Sequence, residues 1–421
     1  MKYPWVCSQL GSREHYSIPR VLRRDRALAF FLTDFWNDYP AWFGKTLPAR
    51  FKKVLERKHP ELDGQAVVHL GLGRLRFDLT AKARQWSAWK TIVQRNAYYQ
   101  RQLLSELRPL QDDLRAKAPG VFFSYSYTAD RLFEFFKELG WYCVLCQIDP
   151  AREEEDRVMA ETNAHPEWAD AATRAPSIYW ERWSRECALA DRILVNSPWS
   201  AEALQRQGIE KERLQVVPLA YESPPKPPDE SLHALPASFT MERPLRVLYL
   251  GQVVPRKGVR LLLEAIDALR ERPIELWMVG PVRMEVPAAC LNHPRVRWTG
   301  AVSRSEAQAQ YQQADVFVLP TLSDGFAITQ LEAQAYGVPV LASQRCGEVV
   351  RDRENGLLLE PLCTETIVEA FAHCLDHPAE VERWSRQSQV DAAFSMEALQ
   401  ANLRTVEAHL QGMKTAPGRH A

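Results

Sequence analysis

The second half of the chain alternates short apolar runs with segments whose apolar residues recur at helical spacing. The apolar runs are rich in Val, Leu and Ile and predict strands, whereas the segments between them predict helices. Such alternation is typical of a parallel sheet covered by helices on both faces. A doubly wound α/β domain is therefore predicted over residues 245–395, with strands at 245–250, 274–279, 296–298, 316–320 and 338–342 and helices at 259–270, 305–313 and 327–336.

The first half, residues 1–220, shows the same pattern less regularly. Helical periods dominate residues from about 18 to 114 and predict a helical insertion in the first domain. The basic and aromatic residues of 81–107 fit either amphipathic helices with solvated faces or a platform for an acceptor or a membrane surface. Strands are predicted at 5–10, 121–126, 141–147 and 192–196, and helices at 51–57, 81–107 and 177–190.

Chain length and a proline-rich interval divide the sequence into two domains. One hydrophobic core rarely fills a chain of 421 residues. Residues 221–244 carry several prolines among charged and small residues without an apolar period, which indicates a linker.

Composition and charge exclude several classes of function. The 53 basic and 53 acidic residues cancel, so no overall field would attract nucleic acid, and none is expected as a partner. No apolar run approaches the roughly 20 residues that span a bilayer, and the N-terminus lacks the apolar core of a secretory signal. We expect a cytoplasmic protein, with peripheral contact at the inner membrane face as an open possibility.

The eight cysteines lack the paired spacing of a zinc site or a disulfide framework. Cys143 and Cys146 form a C-x-x-C, but a strand would point them to opposite faces. Reduced and mostly buried thiols are expected.

Two loops between a predicted strand and a predicted helix concentrate the candidate chemistry. Ligands of open α/β sheets bind at such junctions, where helix N-termini attract phosphate. The first loop runs from Gly251 to Gly258 and contains Arg256 and Lys257, which would suit a diphosphate. The alternative is an ordinary loop with solvent-exposed charges.

The second loop follows the predicted strand at 316–320 and contains Asp324, with Glu332 eight positions later. A helix that begins near Gly325 would place Glu332 about two turns inside it, and both carboxylates could then address one ligand. Carboxylates bind sugar and ribose hydroxyls well. The alternative is that Asp324 caps the helix and Glu332 lies on its surface.

Taken in order, these segments resemble glycosyltransferase family 4, a family of retaining enzymes with the GT-B fold. The likeness extends from about residue 192 to 361 and includes residues 11–20, but not the helical insertion. It rests on Gly251 to Gly258, Trp298-Thr299-Gly300, residues 314–320, Asp324-Gly325-Phe326 with Glu332-Ala333, Gly337-Val338-Pro339-Val340 and Asn355-Gly356.

The resemblance implies two Rossmann-like, doubly wound domains that face each other across a cleft. The final helix, within residues 396–410 of the terminal segment 396–421, would cross back to the first domain. Lys257 and Arg256 would neutralise the donor diphosphate, Asp324 would hold the donor sugar, and Glu332 would hold the ribose. Further donor contacts are implied for Gly11, Ser12, Gln252, Gly325, Phe326, Ala327, Ile328 and Thr329, with the base near Val302.

Three departures from the family pattern affect these roles. Gln252 stands where the family often has arginine, so Arg256 would supply that charge. Asp324 replaces the usual glutamate and is shorter by about one methylene, which leaves the identity of the donor sugar open. No histidine follows the strand at 141–147, where Gln147 and the candidate catalytic Asp149 are substitutes.

The acceptor side is assigned to loops of the first domain. Glu14 and His15 follow the first strand and could contact the acceptor or the sugar, although a loop histidine is more often simply solvated. Tyr125 and Tyr127 end another predicted strand and could line the same site.

These interpretations combine into a retaining transferase that moves a sugar from a nucleotide-diphosphate sugar to an acceptor hydroxyl. No metal or cofactor is expected, because lysine and helix N–H groups would supply the positive field. The acceptor could be a glycan, a lipid-linked glycan or a small molecule. The alternatives are another GT-B enzyme, such as a nucleotide-sugar epimerase, and a non-catalytic protein that binds nucleotide or sugar.

Overall fold

The computed structural model describes residues 1–37, 57–168, 174–223 and 235–413, and they contain two parallel sheets. The first sheet comprises β1 (Trp5–Gln9), β2 (Leu28–Thr33), β3 (Val67–His69), β4 (Val121–Tyr125), β5 (Tyr142–Gln147), β6 (Arg192–Val195) and β7 (Leu214–Val216). The second comprises β8 (Leu245–Leu250), β9 (Ile274–Val279), β10 (Val296–Gly300), β11 (Val316–Leu319), β12 (Val340–Ala342) and β13 (Gly356–Leu358). Their strand orders are β3-β2-β1-β4-β5-β6-β7 and β10-β9-β8-β11-β12-β13.

Helices connect the strands and cover the sheets. Those of the first half are α1 (Ser17–Arg24), α2 (Leu72–Ala83), α3 (Ala88–Leu107), α4 (Gln111–Ala116), α5 (Asp130–Glu138), α6 (Arg152–Ala164), α7 (Ser177–Leu189) and α8 (Pro198–Arg206). Those of the second half are α9 (Val259–Ala268), α10 (Ala288–Leu291), α11 (Arg304–Gln313), α12 (Thr329–Ala335), α13 (Thr364–Asp376), α14 (Pro378–Gln387) and α15 (Met396–Met413).

The central strands are apolar because both of their faces are covered. Every residue of β1, β4 and β11 is buried. Cys143 and Cys146 of β5 belong to hydrophobic clusters on opposite faces of the first sheet. All eight cysteines are free thiols and six are buried, which confirms the prediction for them. Two doubly wound domains are thereby present, in agreement with the predicted fold class.

The predicted strands are present with small shifts of their ends, but the helical insertion differs from the prediction. The interval 18–114 contributes β2 and β3 to the first sheet, so it is only partly helical. The predicted helix at 81–107 is two helices, α2 and α3, separated by residues 84–87. Most of the helix predicted at 51–57 lies outside the described residues.

The last helix of the described chain, α15, packs on the first domain although it follows the second. Leu403 and Val406 join Trp5 and Val21 in one buried cluster. The Trp5 indole Nε1 donates a hydrogen bond of 3.0 Å to the buried carboxylate of Glu407. The C-terminal segment therefore ties the two domains together. The domain bounds 1–220, 221–244, 245–395 and 396–421 stay a prediction.

Helix α6 of the first domain lies against the second domain. The Arg260 guanidinium Nε lies 2.7 Å from Glu161, and both side chains are mostly buried. Two turns earlier on α6, Glu154 lies 3.9 Å from the Arg256 guanidinium. Its Oε2 atom is buried without a hydrogen-bond partner, and burial raises the pKa of Glu154 to about 8. These contacts hold the first-domain helix beside the loop that contains Arg256.

No helix in the described ranges is long and apolar enough to cross a membrane. Peripheral contact with a membrane stays a prediction.

Truncating the contact between α15 and the first sheet should destabilise the protein. Leu403 is fully buried there, so Leu403→Ala should lower the free energy of unfolding by about 2–5 kcal/mol. Thr405→Ala, on the exposed face of the same helix, is the matched control. Urea denaturation measures both, and equal losses for the two variants would show that α15 is not docked as described.

The buried Glu154 should make stability depend on pH. Its folded pKa of about 8 exceeds the unfolded value near 4.5, so the folded protein retains a proton that the unfolded chain releases between these values. The stabilisation is complete below about pH 4.5 and is lost as pH rises through 8. The stability difference between wild type and Glu154→Gln should therefore shift against wild type from pH 5 to pH 8. The exposed Glu202→Gln is the control, and a pH-independent difference for Glu154→Gln would contradict the assignment.

Candidate functional site

The ends of β8 and β11 meet because a glycine permits close contact between their loops. Gly258 has a φ of +67°, and a Cβ at this position would lie 1.8 Å from the Pro320 carbonyl oxygen. The Arg256 carbonyl accepts hydrogen bonds from the backbone N–H of Leu322 at 2.8 Å and the hydroxyl of Thr321 at 2.9 Å. The two loops predicted to carry the chemistry are thus joined into one surface.

Asp324 lies between two cations at this junction. Its Oδ2 atom accepts a hydrogen bond from the Lys257 ammonium and another, of 3.0 Å, from the Arg256 guanidinium. Lys257 is 8% exposed, so it is not the solvent-exposed loop lysine of the alternative interpretation. Burial alone would raise the pKa of Asp324, but Lys257 and Arg256 outweigh it and hold the pKa below its usual range. The carboxylate is therefore ionised, and one positive charge remains in excess.

The segment after Asp324 contacts the first domain. A Cβ on Gly325 would lie 2.0 Å from the carbonyl oxygen of Ile148, which follows β5. Phe326 is buried beside Phe394, so its ring forms core while its backbone lines the loop. Ala327 adopts a positive φ of 63°. Gly325 thus brings the loop after β11 into contact with the first domain.

Helix α12 begins later than predicted, which changes the position of Glu332. The helix starts at Thr329 with Ile328 as its N-cap, because the positive φ of Ala327 interrupts helical geometry. Glu332 therefore lies in the first turn, not two turns inside the helix. Its Oε2 accepts a hydrogen bond of 2.9 Å from the Tyr311 hydroxyl. Burial raises the pKa of Glu332, although this hydrogen bond and Arg304 oppose the shift.

Gln147, Asp149 and Tyr127 form one hydrogen-bonded group at the end of β5. Asp149 Oδ1 accepts from the Tyr127 hydroxyl at 2.5 Å and from Gln147 Nε2 at 2.8 Å. The Trp183 indole donates to Gln147 Oε1 at 2.9 Å and fixes the amide. Burial raises the pKa of Asp149. Gln147 and Tyr127 are buried supports of Asp149, and Tyr125 is likewise buried.

The loop after β1 is held by a carboxylate that the sequence did not indicate. The Gly11 backbone N–H donates to Asp34 Oδ1 at 2.9 Å, and Asp34 is 1% exposed at the end of β2. Beyond exposed Ser12, three consecutive residues have positive φ, with values of 49° at Glu14, 48° at His15 and 63° at Tyr16. Non-glycine residues rarely adopt this conformation, and such strain concentrates at functional sites.

Gln252 and Val302, the remaining residues that were predicted to bind the donor, lie at the edge of the candidate site. The Gln252 side chain is exposed, and its carbonyl accepts a hydrogen bond of 2.6 Å from the Tyr249 hydroxyl. Val302 is partly buried against the hydrophobic cluster on one face of the second sheet.

Sequence reasoning missed several residues that the fold brings to the site. Glu154 comes from an acidic first turn of α6, which was a detectable signal for a helix N-terminus. Nothing local distinguishes the others, because their positions depend on chain segments that are distant in sequence. These residues are Asp34, Arg57, Tyr311 and Arg304.

A protein-family model described as glycosyl transferases group 1 matches residues 244–377. The interval contains the Arg256–Lys257 pair and the segment from Asp324 to Glu332. About a third of the chain is matched.

Curated relatives match about half of this chain. MMP alpha-(1->4)-mannosyltransferase from Mycolicibacterium hassiacum is 29% identical over 206 residues, which cover 46% of this chain and 47% of the relative. D-rhamnosyltransferase WbpZ from Pseudomonas aeruginosa is 27% identical over 221 residues, or 50% and 57% of the two chains. The chain thus spans about half the length of these relatives.

Solved structures match almost the whole chain. Sucrose-phosphate synthase from Thermosynechococcus elongatus superposes with a TM-score of 0.67 and 16% identity, covering 98% of this chain and 100% of that one. Anabaena Alr3699/HepE in complex with UDP gives 0.57 and 14%, covering 97% and 100%. At such low identity these likenesses establish the fold. Together with the family match and the glycosyltransferase relatives, they show a two-domain GT-B fold whose second domain is similar to the glycosyl transferases group 1.

Proposed function

We propose that this protein is a retaining, metal-independent transferase that moves a sugar from a nucleotide-diphosphate sugar to an acceptor hydroxyl. The observation that carries the proposal is the pairing of buried Lys257 and partly exposed Arg256 with Asp324, at a strand-to-helix junction beside the first domain. The relative Alr3699/HepE has been solved with UDP and with UDP-glucose, which supports a donor of this class.

The two cations would stabilise the leaving diphosphate. Negative charge develops on the phosphate oxygen as its bond to the sugar C1 breaks, and preorganised cations lower the energy of that state. Because Lys257 and Arg256 are already oriented by Asp324, little reorganisation is needed when the donor binds. This positive field is why we propose that no metal ion takes part.

Donor binding would redistribute the ion pairs. The diphosphate would take over contacts with Lys257 and Arg256, which frees Asp324 to accept hydrogen bonds from sugar hydroxyls. Glu332 would bind the ribose with Tyr311 holding its carboxylate in place. The backbone from Gly325 to Thr329 would contact a phosphate.

The first domain would complete the reacting centre from the other side. Asp149 lies on the loop that touches Gly325, so it is suited to contact the donor sugar. In retention with this geometry, the acceptor oxygen bonds to C1 on the face that the diphosphate leaves, and the acceptor proton passes to the departing phosphate oxygen. The contact between the domains would exclude water during this step.

Nucleotide release tests the activity against its two alternatives. UDP-, GDP- and ADP-sugars would first be screened by thermal shift, because a ligand bound by the native state alone raises the melting temperature. The stabilising donor is then incubated with and without candidate acceptors. Acceptor-dependent release of free nucleotide supports transfer, conversion of the donor into another nucleotide sugar without acceptor indicates an epimerase, and stabilisation with neither reaction indicates a binding protein.

Removing the Lys257 ammonium should abolish turnover. Lys257→Ala should reduce kcat by about 100-fold or more, because a contact to the developing phosphate charge is lost. Since Lys257 is a buried ion-pair partner, the variant should also lose up to about 3 kcal/mol of stability. Lys137→Ala is the matched control, since it breaks the 2.6 Å pair with Asp191 far from the site. Near-wild-type turnover in Lys257→Ala would exclude the residue from catalysis.

Neutralising Glu332 should weaken nucleotide binding without affecting bond cleavage. If the carboxylate holds the ribose, Glu332→Gln should raise the Kd values of the free nucleotide and of the nucleotide sugar by similar factors, about tenfold. Calorimetry measures both, with the exposed Glu369→Gln as control. Unchanged affinity for the free nucleotide would show that Glu332 has another role.

A further inference from the structure

A cavity of about 410 Å³ opens where the first domain, the linker and the second domain meet. Its walls come from the loop after β1, helix α1, residues 57–59, the start of the linker at 220–222, and the first turn of α11. This volume is in the range of small-ligand sites. The Lys257–Asp324 junction does not line it, so the cavity is separate from the proposed diphosphate contacts.

The lining of this cavity is dominated by basic side chains. Four permanent cations face two carboxylates, and two histidines add further donors. One of the two carboxylates, Glu14, has its pKa raised by burial, which weakens its negative charge. The basic residues are His15, Arg20, Arg57, Lys58, His59 and Arg304.

Carboxylates neutralise these cations to different degrees: Arg20 pairs with both Glu61 and Glu222, and Lys58 lies 3.2 Å from Asp63. Arg57 and Arg74 both lie 2.7 Å from the same oxygen of Asp34, so one carboxylate serves two guanidiniums. Arg95 also lies near this group, and its buried Nε atom has no hydrogen-bond partner. Arg304 forms no ion pair with any residue that the structure describes. The uncompensated positive charge of the cavity therefore lies at Arg304 on the second-domain wall and at Arg57, which shares its carboxylate, on the other.

The two histidines lie among charges of both signs. Burial lowers the pKa of His15, and Arg304 and Arg20 lower it further. Burial likewise lowers the pKa of His59, with Arg20 adding to the shift and Glu61 and Glu222 opposing it. An anion bound between these rings would reverse the contribution of the neighbouring cations.

We propose that this cavity binds the phosphate monoester of a phosphorylated acceptor. A dianionic phosphate accepts hydrogen bonds from guanidinium and ammonium groups together, as Arg57, Lys58 and Arg304 would offer here. The loop after β1 borders the cavity, and Arg304 acts electrostatically on Glu332, so the cavity adjoins the proposed donor site. The assignment to the acceptor rests on the proposed function. We assign the phosphate to the acceptor because the residues that line the cavity belong mainly to the first domain, whereas the proposed donor residues belong to the second.

Equilibrium binding of inorganic phosphate at low ionic strength tests the site without requiring turnover. Lys58→Gln and Arg304→Gln remove one cation from each wall, and both side chains are substantially exposed, so the fold should persist. Each variant should raise the Kd for phosphate about tenfold. Lys211→Gln, an exposed lysine outside the cavity, should bind phosphate as wild type does. Sedimentation with phosphatidylcholine vesicles that contain phosphatidic acid forms a second arm, which identifies a lipid headgroup as the source of the monoester.

Loss of phosphate or vesicle binding in both variants, with normal binding by Lys211→Gln, supports the proposal. Equal binding by wild type and both variants overturns it, and so does an equal loss in Lys211→Gln.

Titration with UDP distinguishes an acceptor site from a donor site. If Lys58→Gln weakens the binding of UDP and of phosphate by the same factor, the cavity binds the nucleotide and not the acceptor. Phosphate binding without consumption of any nucleotide sugar would contradict the proposed function but support the anion site. If sugar is transferred to neutral acceptors and neither substitution weakens phosphate binding, this inference is wrong while the proposed function remains supported.

Discussion

The ion cluster of Asp324, Lys257 and Arg256 constrains the rest of the site. Burying charges is costly unless they are paired, so two cations can remain beneath the domain contact only with a carboxylate between them. The pairing requires the β8 and β11 loops to lie in contact, which in turn requires a residue without a Cβ at Gly258. One carboxylate for two cations leaves a positive charge that suits an anionic ligand. The local sequence of both loops is thus explained by one electrostatic arrangement.

The first domain contacts the loops of this cluster from the other side of the cleft. Gly325 lies so close to the Ile148 carbonyl that a side chain there would separate the domains. Helix α6 packs Glu154 beside Arg256 and pairs Glu161 with Arg260, so this helix of the first domain contacts the second domain at two places. Because the last helix also returns to the first domain, the two halves are joined at the loop after β11 and at the C-terminal segment.

The sequence predicted the second domain well because its elements carry strong local signals. Apolar runs such as 245–250 and 274–279 become strands with the same bounds. Strands of three residues, such as Val67–His69 and Gly356–Leu358, contain too few positions to show a period. The start of α12 was missed because the positive φ of Ala327 is set by packing rather than by composition. Arg57 and Arg304 were missed because they meet only through the tertiary fold.

A formal net charge of zero conceals the feature that would matter most to an anionic substrate. Elsewhere the charges pair locally, as Arg260 does with Glu161 and Glu264. Around the cleft, carboxylates are instead shared, since Asp324 serves two cations and Asp34 serves two guanidiniums. Sharing lets the protein bury more positive than negative charge while each cation keeps a hydrogen-bond partner. A field that would suit the proposed diphosphate and phosphate ligands therefore arises from how carboxylates are distributed, without any excess of basic residues in the chain.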